Sequence, residues 1–272
     1  MMKLVIGYQA TPQGIDALAL GVDLARILNA ELEIIIVLRR SDNFSYEYPP
    51  TGTSEDILLN QAFSWLRGAI EQIPHDVKAS GKVFSDTNTA QGLERAAGQL
   101  GASLIVVGGS SASPLKRHRL GTIAHDLLFG AHFPIALAPR GYSSTPIQRL
   151  NCAVGLRPGA GSLVGLGVRL SRRANLPLRF IAFLGKESEG NSDTALHARE
   201  NVQKLLTEEQ ESSTGKDLVI VEKLEKATWE QGDIVFIGSS RVAEKNSVFA
   251  GSFAMRLLRE LTLPLIVVPR GE

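Results

Sequence analysis

Two glycine-bounded stretches carry the chemistry this sequence offers. "GGSSASPLKRHRLGT" spans 108–122 and "GSSRVAEKNSVFAGS" spans 238–252. In each, a glycine ends an apolar run, and a second glycine thirteen residues later is followed by a hydroxyl. The sets are Gly108 with Gly121-Thr122 and Gly238 with Gly251-Ser252. A glycine after a strand lets another group approach the backbone closely. A Gly-Thr pair opening a helix offers free amides, a hydroxyl and the positive end of the helix dipole, which together suit phosphate. The plainer alternative is a chain turn at Gly108 and a helix cap at Thr122.

Other chemistries find less support. There is no Gly-Lys-Ser/Thr, so a P-loop is not supported. Ser110 and Ser111 lie in "GGSSAS", which lacks the Gly-x-Ser-x-Gly elbow of a hydrolase. His118, His125 and His132 are seven apart. Two helical turns separate neighbours by about 10 Å, too far to share one metal. "KRHR" at 116–119 is either a solvated loop or a contact to phosphate, and "FSYEYPP" at 44–50 is either packed on its own domain or a lid. Trp65 and Trp229 are assigned to core or interface. No acid–base pair and no nucleophile with a base stands near either glycine loop, so an enzyme is not expected.

The elements that position these glycines repeat. At an offset of 130, residues 105–141 lie over 235–271 without a gap: "PIALAPRG" meets "PLIVVPRG". "KLVIGYQ" (3–9) resembles "NCAVGLR" (151–157), and "LGVDLARILNAEL" (20–32) resembles "LGVRLSRRANLPL" (166–178). Two domains of one fold follow, 1–142 and 149–272, joined by the linker "GYSSTPIQ" at 141–148. In the first, apolar runs such as "LVIGY", "ELEIIIVL" and "SLIVVG" alternate with amphipathic segments such as 15–29, 54–73 and 89–101. Apolar strands alternating with helices imply a parallel sheet covered on both faces, doubly wound and Rossmann-like, with five strands per domain. The second domain repeats this plan with a long helix near 192–211. Only fifteen steps separate its Val219 from Ile234, against twenty-one from Val83 to Leu104, so its third helix is shortened or lost.

A net charge of +1 leaves no broad basic surface for nucleic acid. The longest apolar runs, such as "IIIVL" at 34–38, are too short to span a bilayer. With Cys152 alone and no signal-peptide pattern at the N-terminus, a cytoplasmic protein is expected.

Taken together, "IGYQAT" (6–11), "GGSS" (108–111), "GT" (121–122) and "FPIALAPR" (133–140) resemble the universal stress protein family. So do "VGLRPG" (154–159), "GSSR" (238–241), "GS" (251–252) and "LPLIVVPR" (263–270) in the second copy. The resemblance implies a tandem, non-catalytic stress-response protein with an ATP or related adenine-nucleotide site. The family's non-ATP-binding class implies the alternative, a nucleotide-free interaction scaffold. Carried over by position, the first site falls on Gln9, where the family has an acid, and on Ala10, where it has a glycine. Val37 meets the adenine through its backbone, and Gly108, Ser111, Gly121, Thr122 and Ile123 frame the phosphates. The weaker second site falls on Arg157, Gly238, Arg241, Gly251 and Ser252. Two arginines there repel unless an anion lies between them, so nucleotide is expected in the first copy. Family dimers pair through the last strand, so the two domains are expected to form that pair within one chain. A further homodimer is left open, and an unknown regulatory protein is the expected receiver.

Overall fold

The computed structural model describes residues 1–39, 53–109, 120–154, 161–183, 196, 197, 200, 204, 216–221, 227–239 and 247–269. "KRHR", "FSYEYPP", Ser111, Arg157 and Arg241 lie outside them, as does most of 192–211, where the four described positions are helical.

The first half runs β1 (Met2–Gly7), α1 (Pro12–Leu28), β2 (Ala30–Arg39), α2 (Thr53–Glu71), β3 (Ala79–Asp86), α3 (Thr89–Leu100), β4 (Leu104–Gly108), α4 (Thr122–Leu128) and β5 (Ile135–Ala138). The second runs β6 (Arg149–Val154), α5 (Gly161–Ala174), β7 (Leu178–Phe183), β8 (Lys216–Val221), β9 (Asp233–Gly238), α6 (Ser252–Glu260) and β10 (Leu265–Val268). Local chemistry marks the ends. Thr11 caps α1, its hydroxyl accepting from Gly14 N–H at 3.3 Å, and Pro12 follows at the position where a missing N–H is harmless. α1 ends on left-handed Asn29; its repeat counterpart Asn175 is left-handed too.

The ten described strands form one sheet, in the order β3-β2-β1-β4-β5-β10-β9-β6-β7-β8. Each half is parallel, and the halves meet where β5 and β10 pair antiparallel. Ile266 pairs with Ala136, its own counterpart at the repeat offset, so a local twofold passes through that pair. The edge strands therefore close on each other inside one chain, which removes two exposed apolar edges. Successive residues Leu4, Val5 and Ile6 are all fully buried because the sheet is covered on both faces. One core layer holds Leu4, Ile6, Phe180 and Phe236; the other holds Val5, Ile35, Leu127 and Leu257; both run across the two halves.

The halves differ where the residue count says they must. Among the described residues between β8 and β9, 227–232, there is no helix. On the face that α3 covers in the first half, the second half buries a polar cluster, as the first half does around Glu33. Asp233 takes a two-pronged bond from Arg149, both contacts at 2.8 Å, and Arg179 donates to Asn151 Oδ1 at 2.6 Å and lies over the Trp229 ring at 5.4 Å. Trp229 thus packs against the second core layer, whereas Trp65 on α2 is 40% exposed and is no core residue.

Among the described residues no helix is long and apolar enough to cross a membrane.

Candidate functional site at the switch point of the first half

Strand order reverses between β1 and β4, and ligands of open α/β sheets bind beyond the carboxyl ends of strands at such a point. A cavity of about 330 Å³ lies there, within the ~300–1,000 Å³ typical of small-molecule sites. Six of the eight residues placed in the first site by position line it: Gln9, Val37, Gly108, Gly121, Thr122 and Ile123. Ala10 is exposed and is not among the lining residues.

Three helices begin around the cavity. Thr11, Gln13 and Gly14 come from the start of α1, Thr89 and Leu93 from α3, and Gly121 to Ala124 from α4. The first amides of a helix lack intrahelical partners, and the dipole favours negative charge there. α4 starts with Gly121 as its N-cap and no side-chain bond to its first turn. The floor is apolar, with Ile35, Val37 and Val107. Position-by-position comparison did not reach Thr11, Gln13, Thr89 or Leu93. Their signal lay in the cap pairs Thr11-Pro12 and Asn88-Thr89, which mark helix starts but not what they face.

The two glycines of the motif have different reasons. A Cβ at Gly108 would lie 2.1 Å from Gln13 O, so the close approach that requires glycine comes from the protein's own α1 and not from a ligand. A Cβ at Gly121 would meet no described atom within 4 Å, and φ there is −82°. No described residue requires glycine at 121, and Gly121 lines the cavity.

Among the described lining residues the one ionisable side chain is Tyr8, and burial raises its hydroxyl above the ordinary range, so it stays neutral at physiological pH. The described lining residues supply hydroxyls, amides and backbone, and none of them carries a carboxylate, imidazole or thiol. Among the described residues no group of three or more metal-ligating side chains is present.

In the second half Gly238 ends β9, Gly251 caps α6 and Ser252 opens it, as the repeat requires. Here the two described ends of the loop are tied to each other and to the sheet. Ser239, in the place of Gly109, donates to Val268 O at 2.7 Å and accepts from Phe249 N–H at 3.2 Å. The segment before Gly251 also lies on the first half: Val248 N–H donates to Ala131 O at 2.7 Å and Ala250 N–H to Leu128 O at 2.9 Å.

The doubly wound sheet with its cleft at the switch point defines an α/β binding fold. Comparison with known proteins is more specific. The family model described as the Universal stress protein family matches residues 1–139, and the chain belongs to that family of stress-response proteins. It is 25% identical over 297 residues to a universal stress protein of Mycobacterium tuberculosis (strain ATCC 25618 / H37Rv), covering 98% of this chain and all of that one. A solved universal stress protein from Archaeoglobus fulgidus DSM 4304 superposes with a TM-score of 0.66 at 16% identity, covering 99% of this chain and 98% of its own. A functionally unknown protein from Pseudomonas aeruginosa PAO1 gives 0.61 at 17% identity, covering 99% and 92%. These last two likenesses support the fold.

Proposed function

We propose that this chain is a non-catalytic stress-response protein whose first half binds an adenine nucleotide, ATP or a close relative, and whose bound state is passed to a regulatory partner. The observation that carries this reading is the cavity at the first switch point, with three helix starts around it, no charged side chain among its described lining residues and no described atom within 4 Å of a Cβ placed at Gly121. The apolar floor suits a base, and the helix starts suit phosphate oxygens. The membership of the family supports the class of ligand.

The second reading, a nucleotide-free scaffold, draws on Gln9. That position holds an amide where the family's nucleotide-binding pattern has a carboxylate, which removes an ionic acceptor while leaving both a donor and an acceptor. The two readings part on one experiment. The full chain is purified without added nucleotide and denatured, and the supernatant is read by mass spectrometry. Adenine nucleotide carried with the protein supports binding; none carried, and no heat on titration with ATP, ADP or AMP up to millimolar concentration, supports the scaffold.

A further inference from the structure

We infer that Asn88 and Asp126 form a positioning pair that fixes the mouth of the first-half cavity; its ligand rests on the nucleotide reading above. Asn88 caps α3, its side-chain oxygen accepting from Ala90 N–H at 2.7 Å and Gln91 N–H at 3.3 Å. The other end of the same amide donates to Asp126 Oδ2 on α4 at 3.2 Å. Asn88 is itself held from behind, because its backbone N–H donates to Asp86 Oδ1 at 3.3 Å and Asp86 pairs with Arg95 at 3.0 Å. The end of β3, the start of α3 and the body of α4 are thereby tied together. Neither Asn88 nor Asp126 lines the cavity, but Thr89 beside Asn88 does, as does the Gly121–Ala124 turn that ends two residues before Asp126. The bond acts on the ligand through those two helix starts.

Residue choice supports this assignment. Ser, Thr, Asp and Asn all cap helices well, but Asn alone combines an acceptor for the helix amides with an NH2 donor for a carboxylate. Among its described residues the second half has neither partner. No helix stands between β8 and β9 among the described residues, and the counterpart of Asp126 is Arg256, which pairs with Glu260 at 2.9 Å. The described residues place the pair in the first half, beside its cavity.

The test uses the full chain at pH 7.5, titrated with ATP by calorimetry and followed by amide hydrogen exchange at 89–91 and 122–124. Asn88→Asp keeps the α3 cap but sets a carboxylate against Asp126. Its melting temperature should stay near the parent's, its affinity should fall roughly fivefold to tenfold, and exchange at 122–124 should quicken. Adding Asp126→Asn reverses donor and acceptor, so Asn88→Asp/Asp126→Asn should return both readouts to within about twofold of the parent. Unchanged binding and exchange in Asn88→Asp, or a loss that the double variant does not recover, would overturn the inference. If the parent itself takes no nucleotide, the ligand reading fails, and exchange alone then decides whether the pair holds the mouth.

Discussion

Alanine at Gly108 and at Gly121 separates what the fold needs from what a ligand needs. At Gly108 the new Cβ would lie 2.1 Å from Gln13 O and 2.8 Å from Gln13 C, both backbone atoms. An ordinary carbon–oxygen contact is more than 3 Å, so the end of β4 or the start of α1 must retreat by about 1 Å. Forcing one methyl into such a packed site costs about 1–3 kcal/mol, and the upper half of that range applies when backbone rather than a side-chain tip must move. At roughly 2–4 °C per kcal/mol, about 2 kcal/mol lowers the melting temperature by about 4–8 °C. At Gly121 the Cβ meets no described atom within 4 Å and the backbone is ordinary extended, so alanine there should be neutral or raise stability by about 0.4–1 kcal/mol. Urea unfolding of the two variants beside the parent, read by circular dichroism, measures both. Gly108→Ala as stable as the parent, or Gly121→Ala as damaged as Gly108→Ala, would refute this division of roles.

Two further outcomes are expected. Asp23 is buried and accepts from the Tyr142 hydroxyl at 2.8 Å, the Ser144 hydroxyl at 2.5 Å and Thr145 N–H at 3.0 Å, so it holds the segment joining the halves. Asp23→Ala leaves those donors without their acceptor and should cost about 2–4 kcal/mol in urea unfolding, whereas a loss under about 0.5 kcal/mol would show that the clasp contributes little. Acid should weaken the fold through Asp233 and Glu33. Burial alone would raise both carboxyls, but Arg149 beside Asp233 and Lys82, Ser80 and Lys3 beside Glu33 outweigh it and hold them below 3.8 and 4.5. Their stabilisation is present above those unfolded values and disappears as pH falls through the lower folded ones, while Asp16, raised by burial, works in the opposite direction. Asp233→Asn should be less stable at pH 7 and lose less on going to pH 3; an unchanged acid slope contradicts the assignment.

Much of the fold was legible because periodicity and repetition are local signals. The offset-130 repeat identified β4, β5, β9 and β10, and the missing steps before Ile234 leave less room for a third helix in the second half. The pairing of β5 with β10 was legible because two apolar edge strands need a cover and each offers the other one. The site was legible in part. Gly108, Gly121 and Thr122 stood out by spacing, but a glycine does not reveal which atom needs its space, and at 108 that atom proved to be Gln13 O. Asp16 and Asp23 are seven apart on an otherwise apolar helix face, a spacing that marks one side of α1. Their partners at 141–145 lie more than a hundred residues away, brought near only by the topology. Asn88 was readable as a cap, yet its bond to Asp126 depends on how α3 and α4 cross the same face.

The central claim is that an adenine nucleotide occupies the first half. Calorimetric titration of ATP into the parent, Gly121→Val and Gly251→Val tests it most directly, because a branched side chain at Gly121 would occupy the space where phosphate is expected. The parent and Gly251→Val should bind one nucleotide per chain alike, and Gly121→Val should show no binding while melting near the parent. Gly121→Val binding like the parent while Gly251→Val does not would place the site in the other half and contradict the account.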